Sequence, residues 1–305
     1  MAPIYWDPEW VEFAKIMGPP PTIPEGETEE KRHMVNGLLE HLPKLLPPPP
    51  GDVTTKDLTI PSGPSIRIYT PTNPSTTNKP LPLILFAHGG GFIAVNLNTE
   101  DRNCRILCSR SKAVAISVDY RCDYHVPLQD EIEEWRTAFL WSRSNAPSLG
   151  ADPDHILLPR EERERPNMHN TLALHPDATA PAYKHLMTSY SDNDGPLPFV
   201  AAKDTFRLYE FRNLEPPNTD LALFPTAGGP DAVKGFPPTW ILTSGNDASR
   251  DDGKVLEIVL RDAGVRVKRE NVEGLAHSFW VFNLPKANER FRNLMVEGVG
   301  WVLGA

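Results

Sequence analysis

Residues 81–87, Leu-Pro-Leu-Ile-Leu-Phe-Ala, form an almost unbroken apolar run, and His88-Gly89-Gly90-Gly91-Phe92 follows at once. From Pro82 to Ala87 this run fits a strand buried on both faces, the kind that occupies the centre of a parallel sheet. A strand buried on both sides needs a layer of helices on each side. The rest of the chain supplies them. Helices are predicted over 99–112, 129–145, 251–263 and 283–303, and strands over 113–118, 239–244 and 265–272. In the helix over 129–145, Trp135, Phe139 and Leu140 mark the apolar side. Strands alternating with helices indicate an α/β fold with a mainly parallel central sheet, helices on both faces and a small helical cap.

Upstream, residues 7–17 and 28–46 read as helices, the second with an apolar stripe of Met34, Leu38, Leu39 and Leu42, ended by Pro47 to Pro50. Residues 53–60 and 65–70 alternate like antiparallel strands. Asp152 to Leu158 reads as a turn entering a short strand, and residues 159–166 are a charged stretch bounded by prolines. Residues 171–174 fit a following strand, and 182–224 read as cap and loops. The expected organisation is N-terminal cap helices and a Pro-rich connector over 1–50. A domain over 51–305 follows, with a cap insertion at about 180–225. No internal repeat is present.

A chain of 305 residues can bury a large core. The net charge of −9 argues against nucleic acid or an anionic membrane as the main partner. The N-terminus has no basic region followed by an apolar one, so a secretory leader is not expected, and no stretch approaches the ~20 apolar residues of a membrane span. Three cysteines, Cys104, Cys108 and Cys122, make no disulfide framework, and the expected setting is a reducing, cytoplasmic one. Cys104 and Cys108 share a helix face, but further metal ligands are missing nearby. Packing is the expected role, and no metal is implied.

Three stretches carry chemistry. Glycines after a central strand let backbone N–H groups converge on one small space, where they can hold the oxyanion formed when an ester carbonyl is attacked. One such donor is worth about 2.7–4 kcal/mol of transition-state stabilisation. Asp247, in Gly245-Asn246-Asp247, follows a predicted strand, where catalytic side chains of α/β sheets collect. It suits the orientation of an imidazole, with Asp251 and Asp252 left for the structural task of starting the next helix. His277, in Gly274-Leu275-Ala276-His277-Ser278-Phe279, stands after the following strand and suits a general base.

The chain resembles the hormone-sensitive-lipase-like branch of the α/β-hydrolases, which are esterases and lipases. The resemblance rests on His-Gly-Gly-Gly-Phe at 88–92, Val-Asp-Tyr-Arg at 118–121 and Asp-Pro-Asp-His-Ile at 152–156. The Asp247 segment and Gly-x-x-His-x-Phe at 274–279 complete it, in family order. The N-terminal helices are similar to those of fungal members, including esterases of polyketide pathways. The resemblance implies backbone amides of Gly89, Gly90 and Gly91 at the oxyanion beside the motif residue His88, with Asp247 as acid and His277 as base. The implied substrate is a small or medium ester, and no cofactor is implied.

Two departures qualify this. Cys122 to Pro127 replaces the family's Leu-Ala-Pro-Glu-His-Pro. After Leu158 the family places Gly-Asp-Ser-Ala-Gly-Gly and a long helix, whereas this chain passes straight into Pro159 to Pro166. No Gly-x-Ser-x-Gly pentapeptide occurs anywhere in it. Ser142, Ser144, Ser148, Ser189 and Ser191 do not fall on a predicted tight strand-to-helix turn, which is what exposes a nucleophile. Without the serine, triad chemistry is expected to fall by about 10⁶ in kcat, the magnitude known for another serine hydrolase. Three readings stay open: an ester hydrolase by descent that is inactive or very weak, a non-catalytic ligand-binding or interaction protein, and an active esterase from which a coding segment has been dropped.

Overall fold

The computed structural model describes residues 4–18, 28–73, 79–90, 95–123, 125–157, 176–193, 206 and 224–304. The chain divides into two compact units. One comprises Met1–Glu27 with Leu172–Leu294, the other Thr28–Thr171 with Met295–Ala305.

Among the described residues the second unit is built on a five-stranded sheet. Its strands are β1 (Val53–Thr59), β2 (Ser65–Pro71), β3 (Leu81–Ala87), β4 (Val114–Asp119) and β5 (Ala151–Leu157), in the order β1-β2-β4-β3-β5. β1 pairs antiparallel with β2 and β2 antiparallel with β4, while β4, β3 and β5 run parallel. Among the described residues the sheet thus has a parallel part, β4-β3-β5, with β2 and β1 added antiparallel at one side. β3 and β4 are its buried middle: Leu83 and residues 114–116 have no exposed surface. β1, by contrast, is an exposed edge strand of Thr, Lys and Asp.

Two helices precede the sheet in sequence: α1 (Pro8–Met17), which belongs to the first unit, and α2 (Thr28–His41). α2 is shorter than expected and tightens into a 3₁₀ turn over Leu42–Leu45, where Leu42 is buried. α3 (Asp101–Ser111) covers β4 and ends at Lys112 in the left-handed conformation. Its Cys104 and Cys108 pack in the core with Tyr69, Ile84 and Ala115. An ion network fixes its start: Arg67 on β2 binds both carboxylate oxygens of Asp57 and also reaches Asp101, which takes the Tyr69 hydroxyl as well.

α4 (Leu128–Asn145) buries Leu128, Ile132, Trp135 and Ala138, while Leu140 is exposed. Sequence reading had placed Leu140 on the apolar side. It stands five residues beyond Trp135, off the stripe that the 3.6-residue repeat turns inward. β5 also starts earlier than expected, at Ala151. The Asp152 carboxylate accepts the Asp154 N–H, and a register shift between Leu81 and Leu83 absorbs this local turn within the strand.

The first unit holds a parallel pair, β6 (Thr239–Ser244) and β7 (Val267–Val272), which forms a two-stranded sheet among the described residues. Before it, among the described residues, come the short helices α5 (Pro181–Lys184), α6 (Ser189–Asp192) and α7 (Gly229–Ala232). α8 (Arg250–Asp262) crosses from β6 to β7 and buries Val255, Leu256, Val259 and Leu260 against Met187, Tyr190 and Val233. α9 (Pro285–Leu303) closes the chain. The strand expected at 171–174, the charged stretch 159–166 and most of the expected cap lie outside the described residues.

Candidate active site

Gly245, Asn246 and Asp247 leave the end of β6, beside the loop that leaves β7. The two loops are stitched by backbone bonds: Gly245 N–H donates to Val272 O at 2.8 Å and Asn246 N–H to Leu275 O at 3.0 Å. They approach so closely that a Cβ at Gly245 would lie 3.0 Å from Glu273 Cα and 3.1 Å from Gly274 N. Gly274 turns at φ +75°, a conformation that glycine adopts without strain.

This stitching brings the two predicted residues together. His277 Nδ1 lies 2.8 Å from Asp247 Oδ2. The other oxygen, Oδ1, accepts the Ser249 N–H at 2.9 Å and the Ser249 hydroxyl at 2.8 Å. Asp247 is nearly buried, with 12% of its side chain exposed against 40% for His277. Burial pushes the Asp247 carboxyl up, but the His277 charge and hydrogen bond, with the Ser249 donors, outweigh it and hold it below the usual value. Desolvation pulls the imidazole down, and the Asp247 charge and hydrogen bond outweigh that and raise it. With Nδ1–H directed at the carboxylate, the neutral ring presents Nε2 as a base. An oriented acid–base pair of this kind can take a proton from a nucleophile and return it to a leaving group.

Asp251 and Asp252 do something other than start α8. Asp251 Oδ2 accepts N–H bonds from Thr188 at 2.9 Å and Ser189 at 2.8 Å, and Asp252 Oδ2 accepts the Tyr190 hydroxyl at 2.9 Å. They fasten the α6 segment to α8. The turn into the helix is shaped by Asp247 itself, whose carbonyl accepts Arg250 N–H.

The glycine turn belongs to the other unit. His88 is buried, stacks on Tyr120 with ring centroids 4.5 Å apart, and points Nδ1 at Gly89 O at 2.9 Å. Burial lowers its pKa, which keeps the ring neutral. The Tyr120 hydroxyl donates to His88 O at 2.6 Å. Gly89 does not present a free donor: its N–H is directed at Glu100 Oε1, 3.3 Å away. Gly90, at φ +124°, carries no such partner among the described residues, and Gly91 lies outside them. Of the predicted site residues, His88 is therefore a packing and backbone-anchoring group, and Gly89 is engaged internally.

Three of the candidate serines are buried or engaged elsewhere. Ser142 is fully buried on α4, Ser148 Oγ donates to Asn145 O, and Ser189 Oγ donates to Ala248 O at 2.6 Å. Among the described residues no serine hydroxyl bonds His277. Sequence reading missed Ser249, although Asp-x-Ser before a helix is the pattern of a side chain closing on a backbone N–H two residues on. It also missed Glu100 and Asn193, whose side-chain N–H donates to Asp247 O at 2.8 Å; no local pattern speaks for either.

An α/β scaffold that carries an acidic residue and a histidine on the loops after successive parallel strands, bonded to one another, has the makings of a hydrolase. The family comparison agrees: the chain belongs to the α/β-hydrolase fold family, in its hormone-sensitive-lipase-like branch, with the family model matching residues 84–159 and 160–281. A versiconal hemiacetal acetate esterase of Dothistroma septosporum is 27% identical over 310 residues, 92% of this chain and 90% of that protein. Carboxylesterase NlhH of Mycobacterium tuberculosis is 28% identical over 286 residues, 88% of this chain and 81% of that one. Among solved structures, vibralactone cyclase superposes with a TM-score of 0.81 at 23% identity, covering 99% of this chain and 96% of that one. A thermostable esterase of Pseudomonas putida superposes at 0.79 with 18% identity, covering 99% of each chain. At these identities the structural likeness speaks to the fold alone.

Proposed function

We propose that this chain carries the acid–base half of a carboxylic-ester hydrolase, Asp247 and His277, without the serine that the pair would serve. The observation that carries this reading is the 2.8 Å bond between His277 Nδ1 and the nearly buried Asp247 carboxylate, in a sequence with no Gly-x-Ser-x-Gly. Asp247 orients the ring and compensates its charge, and His277 is the base. The family resemblance assigns the oxyanion donors to the backbone amides of Gly89, Gly90 and Gly91, of which Gly89 N–H is directed at Glu100. The substrate class is a small-molecule ester, in keeping with relatives whose names include an acetate esterase. No cofactor takes part, and the expected setting is cytoplasmic.

The expected outcome for purified chain is little or no hydrolysis of p-nitrophenyl acyl esters, with His277→Ala changing nothing. Turnover that His277→Ala removes would overturn the missing-nucleophile reading, because it would place a working nucleophile beside His277.

A second reading has its own support. The family match comes in two stretches that abut between residues 159 and 160, the place where the family's nucleophile segment belongs. A coding segment dropped at this junction accounts for that. Sequencing of the transcript across the codons for Leu158 to Asn170 tests it. An extra in-frame Gly-x-Ser-x-Gly identifies an active esterase, and a transcript that reads as given identifies a pseudoenzyme that retains a ligand-binding role at most.

A further inference from the structure

The N-terminal segment is fastened directly to both loops of the acid–base pair. Tyr5 O accepts the Asn246 side-chain N–H at 2.8 Å, one residue before Asp247. Asp7 N–H donates to Gly274 O at 2.9 Å, three residues before His277. The fit at Gly274 is tight: a Cβ there would fall 2.5 Å from Asp7 N and 2.8 Å from the Tyr5 ring. Beyond these contacts the segment is anchored twice more. Asp7 accepts the Glu9 N–H and so caps α1, and Glu9 in turn accepts the N–H groups of Lys286 and Ala287 at the start of α9. Trp10, 3% exposed, packs edge-on against Phe282 with centroids 5.7 Å apart.

We propose that residues 5–13 are a positioning strap for the acid–base pair, with Asn246 as the residue through which the strap holds Asp247 in register with His277. This rests on the reading of Asp247 and His277 as an acid–base pair. Asn246 is suited to the task because it is bonded on both sides. Its backbone N–H donates to Leu275 O and its buried side-chain N–H donates to Tyr5 O, so it ties the Asp247 loop to the His277 loop and both to the strap. The hydrogen bonds of the strap go to Asn246 and Gly274 rather than to Asp247 or His277, so its effect passes through the loops. A strap that only added stability would leave the imidazole's environment unchanged when it is loosened.

The test is a histidine-selective NMR titration of the full chain, with thermal unfolding measured in parallel. In the unaltered protein the Asp247 charge and hydrogen bond are expected to hold the His277 midpoint above the ordinary imidazole value. Asp247→Asn sets the value with no carboxylate. Asn246→Ala is expected to move the His277 midpoint at least half way to that value while the fold persists. Glu9→Ala loosens the strap at α9, away from both loops, and is expected to shift the midpoint in the same direction by less. It also serves if Asn246→Ala fails to fold. If the variants lower the unfolding temperature but leave the His277 midpoint where it was, the strap is merely structural and the proposal is overturned. If Asp247→Asn itself leaves the midpoint unmoved, the acid–base pair is wrong, and the strap proposal falls with it.

Discussion

Tyr120 shows how much of the glycine turn depends on one hydroxyl. As the chain leaves β3, the buried Tyr120 hydroxyl donates to His88 O at 2.6 Å while the ring stacks on the imidazole. Tyr120→Phe keeps the stack and orphans the carbonyl. The expected cost is about 1–3 kcal/mol, the penalty for an unsatisfied buried polar group, read as a lower urea midpoint with unchanged m-value. Loss of less than a few tenths would mean that the carbonyl finds water. At this scale the pairing of Asp247 with His277 was legible, because each follows a predicted strand and the two strands are neighbours. Glu100 was not. It stands 11 residues past Gly89, and only the folded turn brings its carboxylate to that N–H.

Packing between elements turns on small residues at close crossings. α8 lies on β6 at Gly253, where a Cβ would come 2.4 Å from Thr243 Cγ2 and 3.0 Å from Ile241 Cγ2. The helix that follows Asp247 is thus set against the strand that precedes it, and a larger residue would push the loop between them. α1 is held by aromatic packing instead: Trp10 is flanked by Trp6, Phe13 and Phe282 at 5.7–6.2 Å. Trp10→Ala removes the only one of these rings that touches all the others, and the expected cost is about 3–5 kcal/mol in thermal or urea unfolding. A cost below about 1 kcal/mol would show that α1 contributes little to its unit. Helices and strands with a single strong period were legible in the sequence. What was not legible is where their ends relax. α2 tightens at Leu42 and β5 runs through an Asp-Pro-Asp turn because neighbouring strands and core contacts, not local preference, decide those residues.

For the molecule as a whole, buried carboxyls set the response to pH. Asp247, Asp251 and Asp57 are held below the ordinary 3.8, Asp247 and Asp251 against the upward push of burial and Asp57 mainly by the Arg67 hydrogen bond. Their stabilisation is complete above that value and is lost only in stronger acid. Asp252, Glu100 and Asp119 are pushed the other way, mainly by burial. Each keeps its proton in the fold after the unfolded chain has released it, so stability drains away as pH rises past about 4. His277, raised above 6.5, works in the same direction: its contribution is full below 6.5 and is lost as pH rises through its folded value. From about pH 5 upward these contributions fall, while buried His88, its pKa lowered by burial, adds stability as pH rises toward 6.5 and none beyond it, so unfolding temperature should decline from about pH 6.5 toward pH 8. Asp252 dominates this slope, because its Oδ1 is buried with no hydrogen-bond partner and the charges of Asp247 and Asp251 oppose its ionisation. Asp252→Asn cannot ionise, so its unfolding temperature should gain on the unaltered chain steadily between pH 5 and pH 8, with the difference smallest at the acid end. Parallel curves for the two proteins would mean that Asp252 is ionised in the fold. The α6 segment would then be held to α8 by a charged carboxylate rather than by a neutral acid accepting the Tyr190 hydroxyl.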